Sequence, residues 1–223
     1  MTLLELCQSL RQEVGGAGTG PTTTVGQTGE SKRIVDWIID ADQDIQRERP
    51  SWNFMRSSFT VQTVSGTAAY SATDCGITAF RDWVQSRFKS YLTSGGVAGE
   101  IMLYPMIYEQ WYQQYNRGTP VTGMPFAFTI LANRSFSLAP IPDGIYTIRG
   151  EYQKAVTALS GDSSTPIYPA EYHMLAVYAA MMFYGRFTGS TEVYQDGANR
   201  YAKMMAQMEL TQLPRIRMGG PMA

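Results

Sequence analysis

Residues 174–185 read MLAVYAAMMFYG. Wound into a helix, this run turns Met174, Leu175, Val177, Tyr178, Met181, Met182 and Phe183 to nearly every side, and it is only about half the length of a membrane span. A helix that is apolar all round must be covered all round. It is therefore expected to lie sandwiched between other helices of the chain or of a second subunit.

The candidates for that cover have a 3.6-residue period and lie at the two ends of the chain. Thr2 and Glu5 form a capping box, and Leu3, Leu6, Leu10 and Val14 then recur at steps of three and four until Gly15-Gly16 stops the helix. A second amphipathic pattern sets Ile34, Trp37, Ile38, Ala41 and Ile45 on one face and ends before Pro50. Pro169 and Glu171 open the apolar helix, and a last one carries Val193, Tyr201, Met204, Met205 and Met208 toward Pro214. These spacings predict helices at about 2–14, 30–48, 169–187 and 190–211. The Gly/Thr-rich stretch from Gly15 to Gly29 reads as a mobile connection.

Between the helical ends the period drops to about two. Phe59 and Val61, FRDWVQSRFKSYL and GEIMLY read as strands, and TSGGVAG as a hairpin tip. A short helix at about 106–116 is expected, opened by Pro105 and closed by Gly118. FAFTILA, SFSLAPIP and IYTIRGEYQ, joined by NR and DG, predict a three-stranded antiparallel meander. The fold class is α+β: a helical bundle from the N- and C-terminal helices with a β-rich antiparallel insertion at about 56–155, in one domain over residues 1–223.

Composition narrows the function. Eighteen Lys and Arg against 19 Asp and Glu give a net charge of -1, which argues against tight, general nucleic-acid binding. Cys7 and Cys75 have neither CxxC spacing nor a histidine cluster, so no metal, cofactor or disulfide framework is indicated. They read as thiols of a reducing compartment. The N-terminus lacks the basic-then-apolar pattern of a signal peptide, and a cytosolic, soluble protein is the simplest reading.

Catalytic candidates are few. His173 is the only histidine, stands between Tyr172 and Met174, and is accompanied by no GxSxG elbow. Asp40 and Asp44 lie on the polar side of a helix, and TSGGVAGE lacks the GK[ST] ending of a phosphate loop. Arg81, Arg87 and Lys89 interleave with Phe80, Trp83, Phe88 and Tyr91, a composition suited to single strands but equally to an amphipathic strand with a solvated face. Aromatic residues at 12% and 13 methionines favour extensive subunit contacts, with Trp37, Trp52, Tyr178 and Met182 as interface candidates.

The order of segments resembles the tailed-bacteriophage adaptor proteins, the head-to-tail connectors beneath the portal. The resemblance runs over about residues 1–210, through WIIDADQDIQRERPSWNFMR, TAAY, LYPMIYEQWYQQY and PFAFTILANRSFSLAPIPDGIYTIRGEYQKAVTALSGDSSTPIYPAEYHMLAVYAAMMFYGRF. Trp37, Trp52, Pro140, Pro142, Tyr152, Pro169 and Tyr172 carry it. It implies a non-enzymatic virion protein of the neck, made in the host cytoplasm. Copies, commonly twelve, would form a ring on the portal protein, meet tail or neck proteins, and let DNA pass the lumen without specific binding. Residues 212–223, QLPRIRMGGPMA, would then be an extended tail docking on the portal through Leu213, Arg215, Ile216, Arg217 and Met218, where the alternative is a frayed terminus. The runner-up is a tail-completion or tail-tube component, and the rival from another class is a small hydrolase built on His173.

Overall fold

The computed structural model describes residues 1–214. In chain order the elements are α1 (Leu3–Glu13), α2 (Gly29–Glu48), β1 (Arg56–Gln62), β2 (Ala69–Tyr70), β3 (Phe80–Leu92), β4 (Ile101–Met102) and β5 (Tyr104–Pro105). There follow α3 (Tyr108–Tyr115), β6 (Thr122–Gly123), β7 (Ala127–Ile130), β8 (Phe136–Ala139), β9 (Ile141–Pro142), β10 (Tyr146–Lys154), α4 (Met174–Thr188) and α5 (Thr191–Gln212). The class is α+β, with helices at both ends and a β-rich middle. The chain divides into two compact units, Met1–Met55 with the residues from Val156 onward, and Arg56–Ala155.

The first unit is the helical one. At its start Thr2 and Glu5 make both hydrogen bonds of the capping box. The apolar α4 packs against α1, α2 and α5, which is how a helix without a polar face is satisfied. Leu6, Leu10, Ile38, Ile45, Leu175 and Val177 fill the space between, all fully buried. Two glycines let α4 and α5 approach closely. A β-carbon on Gly185 would lie 2.8 Å from the Tyr194 amide nitrogen. Before α4, Pro169 precedes a single 3-10 turn at Ala170–Tyr172, so the α-helix proper starts five residues later than Pro169 itself.

The Gly/Thr-rich stretch, expected as a mobile connection, is strapped to this unit. Gln8 donates to the Pro21 carbonyl at 3.2 Å, and the Asp162 carboxylate accepts from the Thr23 hydroxyl and from both the amide and the hydroxyl of Thr24. Short polar side chains that read as linker composition serve here as the donors that fix the backbone.

The second unit is built on two four-stranded sheets, ordered β1-β10-β3-β4 and β2-β8-β7-β5, with a two-stranded β6-β9 pair beside them. Aromatic rings join the two larger sheets. Phe88 stacks on Phe128 at 4.3 Å between centroids, and Trp83 meets Phe136 edge-on at 5.2 Å.

Two local expectations are corrected. The three-stranded meander does not form: β7 and β8 pair antiparallel, but β10 lies in the other sheet between β1 and β3. Pro140 and Pro142 separate β8 from β10, and a residue without an N–H cannot extend a ladder, so the chain leaves one sheet here and enters the other. Pro105 does not open α3 either. It lies in β5, beside β7, where the neighbouring amides of Tyr104 and Met106 donate to Phe126 and Phe128. Alternate residues make those bonds, so the missing N–H at Pro105 costs nothing.

Candidate functional site

His173 and Asp42 are engaged structurally. His173 is buried, with Nδ1 2.7 Å from the N-terminal amine and Nε2 3.1 Å from the Tyr168 carbonyl. Burial lowers its pKa, and both ring nitrogens are occupied. Asp42 is fully buried and accepts from Gln46 at 2.7 Å, while the Gln46 amide also donates to and accepts from the Thr157 backbone. Desolvation raises the Asp42 carboxyl to about 6. Burial pushes the Cys7 and Cys75 thiols up to about 12, far from the range of a reactive thiolate. Among the described residues no group of three or more His, Cys, Asp or Glu is arranged to hold a metal ion.

The surface of the β-rich unit carries a different signal. Tyr104 is 66% exposed and Ile107 64%, and α3, which follows directly, buries none of its residues. On α3 Tyr108 stacks over Trp111 at 5.9 Å and leans on Tyr112 at 6.0 Å. The Tyr104 amide donates to the Phe126 carbonyl at 2.8 Å, which sets an exposed Phe126 beside this row. Isolated exposed apolar residues are ordinary, but a contiguous row of aromatics marks a contact surface. Tyr and Trp suit such a surface because each offers large, stiff, amphipathic area.

The interface residues expected from sequence lie in the helical unit and have different surroundings. Trp37 is half-buried, edge-on to Tyr184 at 6.0 Å and next to Phe187, which is itself 58% exposed and capped by the Arg33 guanidinium. Tyr178 lies in a shallow groove with Arg200 over its ring, and Met182 is half-buried on the same helix. Trp52 is fully buried, donates through Nε1 to the Ile45 carbonyl at 3.0 Å and stacks on Phe54, so it has no surface to offer a neighbour. Leu213 packs against the helical core. Arg215, Ile216, Arg217 and Met218 lie outside the described residues.

Sequence reasoning missed Tyr104, Tyr108, Tyr112 and Phe126. The legible signal was an eight-residue helix, YEQWYQQY, with aromatics on more than one face and no buried counterpart implied. This exposed face suits a protein that works by contact.

The family model described as SU10 adaptor protein matches residues 1–223. The chain belongs to the SU10 adaptor protein family. Membership makes it a bacteriophage structural adaptor, a component of the virion that associates with other virion proteins. No curated protein matches this adaptor. Among its described residues no helix is long and apolar enough to cross a membrane.

Proposed function

We propose that this adaptor is a head-to-tail connector: a non-enzymatic subunit of a twelve-copy ring in the virion neck, seated beneath the portal. The ring extends the DNA channel, leaves DNA to pass without sequence-specific binding, and offers the attachment site for tail or neck proteins. The observation that carries the reading is the exposed aromatic row from Tyr104 through Tyr112 with Phe126, on a chain whose family is one of adaptors. Burying such a row against a neighbour returns about 25 cal/mol per Å² of apolar area, a driving force that a free subunit forgoes.

Trp37, Tyr178 and Met182 add contact surface on the helical unit, and residues 212–223 dock on the portal with Arg215 and Arg217 answering acidic groups there. The hydrolase reading loses support because His173 has no free ring nitrogen. The test is paired substitution, Tyr104→Ser with Tyr112→Ser, followed by co-sedimentation with the portal protein and with the tail or neck fraction. Retained folding with association reduced at least tenfold is expected. Undiminished association with both partners would contradict the assigned surface.

A further inference from the structure

We propose that the outer face of the β1-β10-β3-β4 sheet holds a binding site for a phosphodiester of a nucleic-acid backbone, formed by Arg87, Lys89 and Arg149 with the hydroxyls of Ser58 and Thr60. These residues, with Phe59, Gly150 and Glu151, line one groove. The site is independent of the connector reading.

Three observations converge on it. The first is an irregularity in register. Arg149 pairs with Lys89 and Glu151 with Val84, so one residue on β10 faces four on β3, and Gln85, Ser86 and Arg87 are looped out and exposed. Such bulges re-aim side chains, and this one places Arg87 at the groove. Gly150 lines the groove, while a β-carbon on it would project to the core side, 2.7 Å from the Phe59 ring, so a glycine is required at this bulge.

The second is charge. Lys89 and Arg149 are direct cross-strand partners, a like-charge pairing that costs stability. Glu100 relieves it by meeting both, at 2.7 Å and 3.5 Å, while Glu151 is answered by Arg56 at 3.7 Å. Arg87 has no carboxylate partner among the described residues. Four cations thus face two carboxylates, and the excess is positive. The whole unit leans the same way: residues 56–155 hold eight Lys and Arg against six Asp and Glu, although the full chain is net negative.

The third is geometry. Cations and hydroxyls from three strands surround one groove, an arrangement that suits the several outward oxygens of a tetrahedral phosphate better than a planar carboxylate, which accepts a single fork. The aromatics that alternate with these cations in sequence do not join in. Trp83 and Phe88 are buried in the sheet interface, and the half-buried Phe80 and Tyr91 do not line the groove, which leaves no stacking platform in it and favours backbone contact. Duplex and single strand should therefore bind alike, without base preference.

The test is fluorescence anisotropy of a labelled 12-base-pair duplex and a 12-base oligothymidine against the full chain, titrated at several salt concentrations, with Arg87→Ser as the variant. Arg87 is exposed on a bulge and makes no ion pair among the described residues, so the variant should keep the wild-type melting temperature. Expected are binding of both probes, about tenfold weaker binding by Arg87→Ser, and a duplex salt slope shallower by about 0.9. Equal binding by wild type and variant would overturn the site. So would a glutamate-rich peptide of equal charge binding tighter than the duplex, or inorganic phosphate shifting the Arg87 and Gly150 amides while neither nucleic acid binds.

Discussion

Gly197 on α5 lies so close to Met181 on α4 that a β-carbon at position 197 would stand 2.9 Å from the Met181 β-carbon and 2.9 Å from the Tyr178 carbonyl oxygen. Backbone and β-carbon atoms cannot step aside as a side-chain tip can. Gly197→Ala therefore sets two effects against each other: a helix-propensity gain of about 1 kcal/mol and an overpacking cost of about 1–3 kcal/mol. The clash with backbone and β-carbon atoms should prevail, with urea unfolding showing a lower midpoint, an unchanged m-value and a net loss of up to about 2 kcal/mol.

Asp42 should make the helical unit less stable as pH rises toward neutral. Its carboxyl is raised by burial from 3.8 to about 6, so between these values the native state binds more protons than the unfolded one, and stability falls with rising pH. The penalty is complete above about pH 6 and absent below about pH 4. Asp42→Asn keeps the acceptor for Gln46 and removes the titration. It should flatten that window and gain up to about 2–3 kcal/mol at pH 7, as read from thermal melts across pH.

Asp162→Ala should free the Gly/Thr-rich strap without unfolding the bundle. The Thr24 hydroxyl and amide hold the Asp162 carboxyl below its usual value, with Thr23 adding to them. Such a shift stabilises above the unfolded value of 3.8 and is lost as pH falls through the lowered one, so the strap should stay fastened at neutral pH and loosen only in acid. Amide exchange at Thr24 should speed markedly in the variant at pH 7 while amides of α4 stay protected.

Trp52→Phe should be costly for a conservative change. It deletes the Nε1 donor to the Ile45 carbonyl and leaves that buried acceptor unsatisfied, besides leaving a void beside Phe54. A loss of about 2–3 kcal/mol in chemical denaturation is expected, with no separate effect on association at equal folded fraction.

What the sequence revealed follows the reach of local physics. The Thr2–Glu5 capping box, the stripe from Ile34 to Ile45 and the all-round apolar α4 each depend on neighbours within a few residues, and each is found as read. The destination of β10 was hidden because sheet membership is decided by partners far along the chain, at Arg56–Gln62 and Phe80–Leu92. Pro105 misled for a related reason: its tolerance in β5 depends on which amides face β7. The strap was read as mobile because its anchor, Asp162, lies well over a hundred residues downstream. The aromatic row at Tyr104–Tyr112 was visible as composition, but only exposure distinguishes a contact face from a core stripe.

The connector role is tested most directly by electron microscopy of this adaptor mixed with its cognate portal, with class averages scored for symmetry. The full chain should be compared with a version cut after Pro214, which keeps Leu213 on the core. A twelve-fold ring on the narrow end of the portal, lost on truncation, is expected. A correctly folded portal that carries no ring with the full chain, or a six-fold ring found only on the tail side, would contradict it.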